Sequence, residues 1–369
     1  MHVLFLLAQE YWTGAAEPTL QLAGGLAERG FRVTFGWTRR PAENLGEHVA
    51  ALGLDGPPGV VMRRKGFHPA SLLLDARRLR HFVRTDKVDV IFCNQSHDHW
   101  LGWWAARQAN PPILARHVHA SRQLRPTAGR RWLFARTDVL IVPAQQWKQR
   151  IIDGFGLDPS RILALPPAVD VARFSPAQNT TAIRAEIGAP PGERLVGMVS
   201  RIKPGRGHEL ALAAFARVLE REPRTRLLFV GRGEGRAALE AQARATPFAD
   251  RVHFLGYRRD DLPAIDAALD VALLLGEGSD GACRAALEAM ACGTPVAALR
   301  VGTLPESLID GETGVFVEPN AESLAAGILE LFAAPHLRER ARGHAERNLS
   351  LTRRLDAAEA MIREIAAAR

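Results

Sequence analysis

Cysteine is scarce: the 369 residues contain three, Cys93, Cys283 and Cys292. Three cannot build a disulfide framework, so the chain reads as a protein of a reducing compartment. Long apolar runs are also missing, and none approaches the ~18 residues that a membrane-spanning helix needs. The apolar start, Met1 to Leu7, is shorter than a secretory leader and lacks a Lys/Arg-rich head. Glu10 follows soon after it, and we read it as a first buried strand in a cytoplasmic protein. Glycine (32) and proline (23) are too few for a low-complexity or fibrous chain. With 47% hydrophobic and 24% charged residues, disorder is excluded as well. At ~150 residues per domain, the length suggests two domains.

Charge is distributed unevenly. The chain carries +8 overall, from 48 basic and 40 acidic residues. Residues 1–175 hold 23 basic and 14 acidic side chains, which is +9, and the remainder is −1. Nearly all the cations of the first part are arginines. One group is Arg63-Arg64-Lys65, followed by Leu72 to Leu74 and Arg77, Arg78, Arg80 and Arg84. Another is Arg122, Arg125, Arg130, Arg131 and Arg136, with Trp132 and Phe134 among them. Mixed apolar and basic residues suit an anionic membrane surface. They equally suit a helix packed on its own core in an arginine-using genome. No nucleic-acid-binding module is visible, so nucleic acid is not expected as a partner.

Strand-like and helix-like segments alternate. Val3–Leu7, Phe31–Phe35, Val88–Cys93, Ile113–Arg116 and Val139–Val142 read as strands, with a helix over Glu17–Arg29. The pattern restarts with strands at Leu195–Val199, Leu227–Val230, Val252–Phe254, Val271–Leu275 and Pro295–Ala298, and a helix at Glu209–Arg221. This is α/β patterning with parallel sheets. The stretch from Pro166-Pro167 to Thr181 reads as the linker. Doubly wound sheets bind ligands where their strands end, so the chemistry is sought in those loops.

The segment Ser279 to Val296 is the most informative. A strand runs into a Gly-containing loop, and a helix is predicted to start near Gly281, with Asp280 at its start. Amides of a first helical turn can hold an anion or a sugar hydroxyl. Glu288, eight residues after Asp280, would then accept hydrogen bonds from a ribose diol. The same residues also suit an N-cap aspartate and a surface glutamate. In Val199 to Gly207, Arg201 ends a strand and Arg206 precedes a helix. Two cations at this spacing can clamp a diphosphate and stabilise it as a leaving group, or can simply be solvated.

Two further turns carry glycine: Trp12-Thr13-Gly14, whose amides would open a helix, and Gly231-Arg232-Gly233. The pairs His97/His99 and His117/His119 follow the ends of predicted strands; they invite a metal-site reading, but it is the less favoured one. Gly276 to Gly281 matches GxGxxG, but the acid that a dinucleotide oxidoreductase needs ~20 residues on is missing.

Glu288 to Val296 (Glu-Ala-Met-Ala-Cys-Gly-Thr-Pro-Val) resembles the signature of the retaining glycosyltransferases of family 4. Val301 to Glu306 and Asp310 to Gly314 resemble the stretch after that signature in the family. Departures are Asp280 for the usual Glu, Gly281-Ala282-Cys283 for Gly-Phe-Gly, Arg206 for Lys, and Ala15 for Gly. The resemblance implies a GT-B fold of two Rossmann-like doubly wound domains facing a cleft. Residues 1–172 would bind the acceptor, 173–348 the nucleotide sugar, and 349–369 would form a helix returning to the first domain.

The function implied is sugar transfer from a nucleotide-diphosphate sugar to a carbohydrate, glycolipid or lipopolysaccharide-core acceptor, with retention of anomeric configuration. Arg201 and Arg206 would hold the diphosphate, with Asp280 and the Gly281, Ala282 and Cys283 amides on the transferred sugar. Glu288 would hold the ribose and Tyr257 the nucleobase. Gly231 and Gly14 would border the diphosphate, and His117, or else His119, the reacting centre. The arginine pair makes a metal unnecessary, and no Asp-x-Asp is present, so neither metal nor cofactor is expected. The alternatives are a sugar-nucleotide epimerase of the same fold and a non-catalytic sugar-nucleotide-binding subunit. Peripheral attachment to the inner face of the cytoplasmic membrane is a further expectation.

Overall fold

The computed structural model describes residues 1–12, 16–39, 44–62, 69–278 and 283–367. The chain divides into two compact units: Met1–Pro166 with Arg354–Arg369, and Pro167–Arg353.

The first unit is built on strands β1 (His2–Leu7), β2 (Arg32–Trp37), β3 (Val90–Cys93), β4 (Ile113–His117), β5 (Val139–Val142) and β6 (Ile162–Ala164). They form one sheet in the order β2-β1-β3-β4-β5-β6, every neighbouring pair parallel. Residues of β1, β3 and β5 are buried along their whole length. A parallel sheet covered by helices on both faces requires this, and it is why these strands are continuous apolar runs. Phe5 stacks on Phe92 at 4.9 Å between ring centres, tying β1 to β3.

The helix Leu351–Ala367, which belongs to this unit from Arg354 on, packs on the helix Ala16–Glu28. Arg29 pairs with Asp356 and Glu359. A Cβ on Gly25 would lie 2.5 Å from the Leu355 side chain, so only glycine allows that approach.

The second unit repeats the plan with β7 (Arg194–Val199), β8 (Thr225–Val230), β9 (Val252–Gly256), β10 (Val271–Leu274), β11 (Val296–Ala298) and β12 (Gly314–Phe316). The order is β12-β11-β10-β7-β8-β9, again all parallel. Helices His208–Arg221 and Ala321–Phe332 cover one face through Phe215, Val218, Ile328 and Leu331. The helix Arg284–Ala291 covers the other through Leu287 and Met290.

In each sheet the strand order reverses at one point: between β1 and β3 in the first unit, and between β7 and β10 in the second. Connections leave to opposite sides there, which opens a crevice at the carboxyl ends of the strands.

Candidate functional site

In the second unit the reversal sets the loop after β7 against the loop after β10. Gly207 has φ +85° and caps the helix His208–Arg221 in the left-handed region. A Cβ there would run into the Leu275 side chain. A Cβ on Gly276 would in turn lie 3.1 Å from the Arg206 Cα. Two glycines therefore let two backbones touch, and Arg206, half-buried, sits where they meet. Arg201 stands exposed at the start of the same loop. Its Nη2 donates to Glu234 at 3.0 Å. Glu234's own backbone N–H and Arg201 hold that carboxyl below its usual range.

The loop after β8 is stitched to this one. Gly231, at φ +148°, lies against the Ser200 carbonyl, and Gly233 against the Ile202 carbonyl, with no room for a Cβ at either. Backbone hydrogen bonds run from Ser200 N to Val230 O, Ile202 N to Arg232 O and Gly235 N to Ile202 O. Gly231 N also donates to Gly256 O at 2.7 Å, which brings in the end of β9. Tyr257 follows, 56% exposed, with the Arg232 guanidinium 5.0 Å above its ring. Arg201, Arg206, Gly231 and Tyr257 thus belong to one rim of adjoining loops.

The helix carrying Glu288 begins at Arg284, not near Gly281 as the sequence suggested. Cys283 caps it at φ +53°, a left-handed conformation that β-carbon sterics disfavour. The eight-residue spacing from Asp280 to Glu288 is therefore not two turns of one helix. Asp280, Gly281, Ala282 and Gly14 lie outside the described residues.

Glu288 is 6% exposed, and its Oε1 is 3.4 Å from Arg284 Nε. Behind it, on the helix Leu262–Ala268, Asp266 is 1% exposed and neither carboxylate oxygen has a hydrogen-bond partner. Burial, and then the Glu288 charge, push its carboxyl well above the ordinary range, which favours the protonated form. Sequence reading missed Asp266; a lone acid in an apolar helix was the only signal.

His117 ends β4 in the first unit. It is buried and lies 3.9 Å, ring centre to ring centre, from His119. Its Nδ1 has no partner, and His119 Nε2 pairs with Asn94 Oδ1 at 2.8 Å. Burial first, then neighbouring positive charge, pushes His117 well below the ordinary histidine value and His119 to about 3. Both imidazoles are neutral at physiological pH, so either can exchange hydrogen bonds but neither supplies a charge.

Asp98 lies at the reversal point of this sheet. Its carboxylate accepts from the Ala8, Asn94 and Gln95 amides, joining the loops after β1 and β3. Among the described residues, no three or more His, Cys, Asp or Glu side chains are grouped to hold a metal ion. No described helix is long and apolar enough to cross a membrane.

Residues 12–173 match the family described as Glycosyltransferase Family 4, and residues 179–348 match Glycosyl transferases group 1. A D-inositol 3-phosphate glycosyltransferase from Actinosynnema mirum is 35% identical over 88% of this chain and 85% of its own length. A protein of the same name from Segniliparus rotundus is also 35% identical, but the match spans only 50% of its length. A GDP-mannose-dependent alpha-(1-6)-phosphatidylinositol monomannoside mannosyltransferase from Mycolicibacterium smegmatis is 30% identical over 77% of this chain and 78% of its own.

Among solved structures, a glycosyltransferase from Rickettsia africae superposes with TM-score 0.86 at 17% identity, covering 99% of this chain and 98% of its own. An Anabaena protein in complex with UDP-glucose superposes with TM-score 0.79 at 21% identity, covering 100% of both chains. With two parallel six-stranded sheets and both halves matched, the chain belongs to glycosyltransferase family 4 and is a glycosyltransferase of GT-B fold.

Proposed function

We propose that the chain moves a sugar from a nucleotide-diphosphate sugar to a hydroxyl of a carbohydrate or glycolipid acceptor, with retention at the anomeric carbon. The observation that carries this reading is the rim of glycine-gated loops around Arg206, Arg201 and Gly231. Fixed positive charge at a backbone-lined rim suits the diphosphate that departs when the glycosyl–phosphate bond breaks. Arg206 stabilises that leaving group, and Arg201 joins it once Glu234 is displaced. Glu288 accepts from the ribose hydroxyls. Asp280 and the amides of Gly281, Ala282 and Cys283 hold the transferred sugar, Tyr257 borders the base, and His117 and Gly14 are assigned substrate contacts.

The acceptor hydroxyl gives its proton to the departing phosphate oxygen as its own oxygen bonds the anomeric carbon from the same face. This step needs no protein nucleophile. Relatives named for inositol phosphate and for a phosphatidylinositol mannoside support a phosphorylated or lipid-linked acceptor. UDP-glucose in the Anabaena neighbour and GDP-mannose in the name of the mannosyltransferase support a nucleotide sugar as donor.

Attachment to an anionic membrane surface at the inner face of the cytoplasmic membrane belongs to the same reading. Exposed Trp100, Trp104 and Trp132, together with exposed Leu72 to Leu74 and the arginines among them, support it.

A thermal-shift panel of UDP, GDP, ADP and their sugar conjugates without metal tests the donor half. NMR of the anomeric proton in the product tests retention. Selective stabilisation by one nucleotide and a retained anomer are expected; inversion would overturn the mechanism, and no nucleotide binding would overturn the function.

A further inference from the structure

We infer that the first unit carries an anion site of its own, which takes the phosphoryl group of a phosphorylated acceptor. It lies where β4 ends, beside the helices Ser96–Ala106 and Ala128–Ala135. The substrate class rests on the glycosyl-transfer reading; the anion site does not.

Its centre is Arg116 on β4, 2% exposed. The Nε and Nη1 atoms are buried with no hydrogen-bond partner. An unpaired buried guanidinium is among the most costly arrangements in a folded chain, so such donors point to a missing acceptor. Asp98 is the acid that Arg116 feels, but three backbone amides already occupy that carboxylate. Burial raises the Asp98 pKa to about 6, so near neutral pH its charge still faces Arg116 while its oxygens stay committed to the backbone amides.

Arg116 lines a cavity of about 190 Å³ together with Ser96, Thr127 and Arg130. An adjoining recess of about 460 Å³ shares Ser96, Thr127 and Arg130 and adds Arg122 and Arg125. Among the described residues, the two are lined by four arginines and by no carboxylate. Arg130 is held in place by the Arg122 and Arg125 carbonyls, so an uncompensated charge is fixed at the wall. The helix Ser96–Ala106 starts here, and its dipole adds positive potential.

Guanidinium forks, two hydroxyl donors and a helix start suit a tetrahedral oxyanion with several acceptor oxygens, which is a phosphate ester. The Arg201–Arg206 loop belongs to the other unit, so the two sites share no residue.

The shared chemistry admits two sources: a soluble polyol phosphate and the phosphodiester of a lipid headgroup. Calorimetry on the full chain at low salt compares inositol phosphate with inositol. Co-sedimentation, at a salt concentration that releases the chain from phosphatidylglycerol vesicles, compares phosphatidylcholine vesicles containing phosphatidylinositol with ones containing an equal charge of phosphatidylglycerol. Inositol phosphate is expected to bind and inositol not; capture only by phosphatidylinositol vesicles identifies a headgroup as the source.

In either arm Arg130→Ala should weaken binding about tenfold or more at an unchanged unfolding temperature. Arg116→Lys, which keeps one charge but loses the fork, should weaken it too. Equal binding of inositol and its phosphate, Arg130→Ala binding like wild type, or no binding in either arm overturns the site. Nucleotide-sugar binding on the same sample separates the two proposals. Phosphate binding without it leaves the anion site standing and sinks the transferase reading, and the reverse sinks the anion site alone.

Discussion

The guanidinium of Arg201 lies 3.0 Å from the Glu234 carboxylate, joining the loop after β7 to the loop after β8. Both side chains are exposed, so water and salt weaken the pair and an incoming phosphate can replace the carboxylate. Glu234 then competes with the diphosphate for Arg201. Glu234→Gln should tighten nucleoside-diphosphate binding by about two- to fivefold at low ionic strength, with less effect in salt. Calorimetry with UDP and GDP reads this directly, and unchanged affinity would show that the pair is a bystander.

Arg206 has a stronger claim to the leaving group, because Gly207 and Gly276 hold its backbone in place. Arg206→Ala should lower the transfer rate by about 10²–10³-fold, the usual loss when one preorganised electrostatic donor is removed. Its circular dichroism and melting temperature should stay those of wild type. Arg206→Lys should recover part of the rate, since charge persists and only the fork is lost. Wild-type turnover by the alanine variant would remove Arg206 from the mechanism.

Both sheets were legible because parallel strands buried on two faces are written as unbroken apolar runs, as in Val3–Leu7 and Val139–Val142. Strands β6 and β12 were not read. Ile162–Ala164 and Gly314–Phe316 are three residues each, too short for any pattern to stand out. Arg201 and Arg206 were singled out because loops after strands are where the fold class puts ligands, and Glu288 because it opens the stretch that resembles the family signature. The helix start was placed too early because Gly281 looks like a turn, whereas Cys283 adopts a left-handed backbone that its side chain does not announce. Asp266 and Arg116 escaped because the burial of a charge depends on what packs over it from distant parts of the chain.

Asp266 makes a prediction about pH. Its folded-state pKa lies well above the ordinary 3.8, through burial and the Glu288 charge. Between those two values the folded chain keeps a proton that the unfolded chain has released. The stabilising contribution is therefore complete below about pH 4 and is lost as pH rises toward the folded pKa. Asp266→Asn imitates the protonated form at every pH. The variant should gain melting temperature over wild type progressively from pH 4 to pH 8. Parallel profiles would mean that Asp266 is ionised in the folded chain.

Cys283 stores backbone strain at the start of the Glu288 helix. A non-glycine residue at φ +53° costs about 1 kcal/mol. Its buried Sγ, 3.5 Å from the Val301 carbonyl, offsets part of this. Alanine keeps the Cβ and its strain but loses the sulfur contact, whereas glycine removes the strain. Cys283→Gly should therefore be more stable than Cys283→Ala in urea unfolding, by up to about 1 kcal/mol. The opposite order would show that the turn tolerates the β-carbon without strain.

Trp100, Trp103 and Trp132 form one aromatic cluster, with Trp100 and Trp132 stacked at 5.0 Å and Trp103 edge-on to Trp132 at 4.7 Å. Trp104 extends it, and Arg107 and Arg136 lie over the rings of Trp103 and Trp132. Indole rings with guanidinium groups above them match the headgroup layer of an anionic bilayer, where an apolar body and a charged tip are both satisfied. The chain should float with phosphatidylglycerol vesicles at low salt, with a blue shift of tryptophan emission, and dissociate as salt rises. Trp104→Ser, which removes an exposed ring from the edge of the cluster, should weaken flotation without lowering the melting temperature. A wild-type chain that stays with the aqueous fraction at low salt would leave the cluster as surface packing and end the membrane reading.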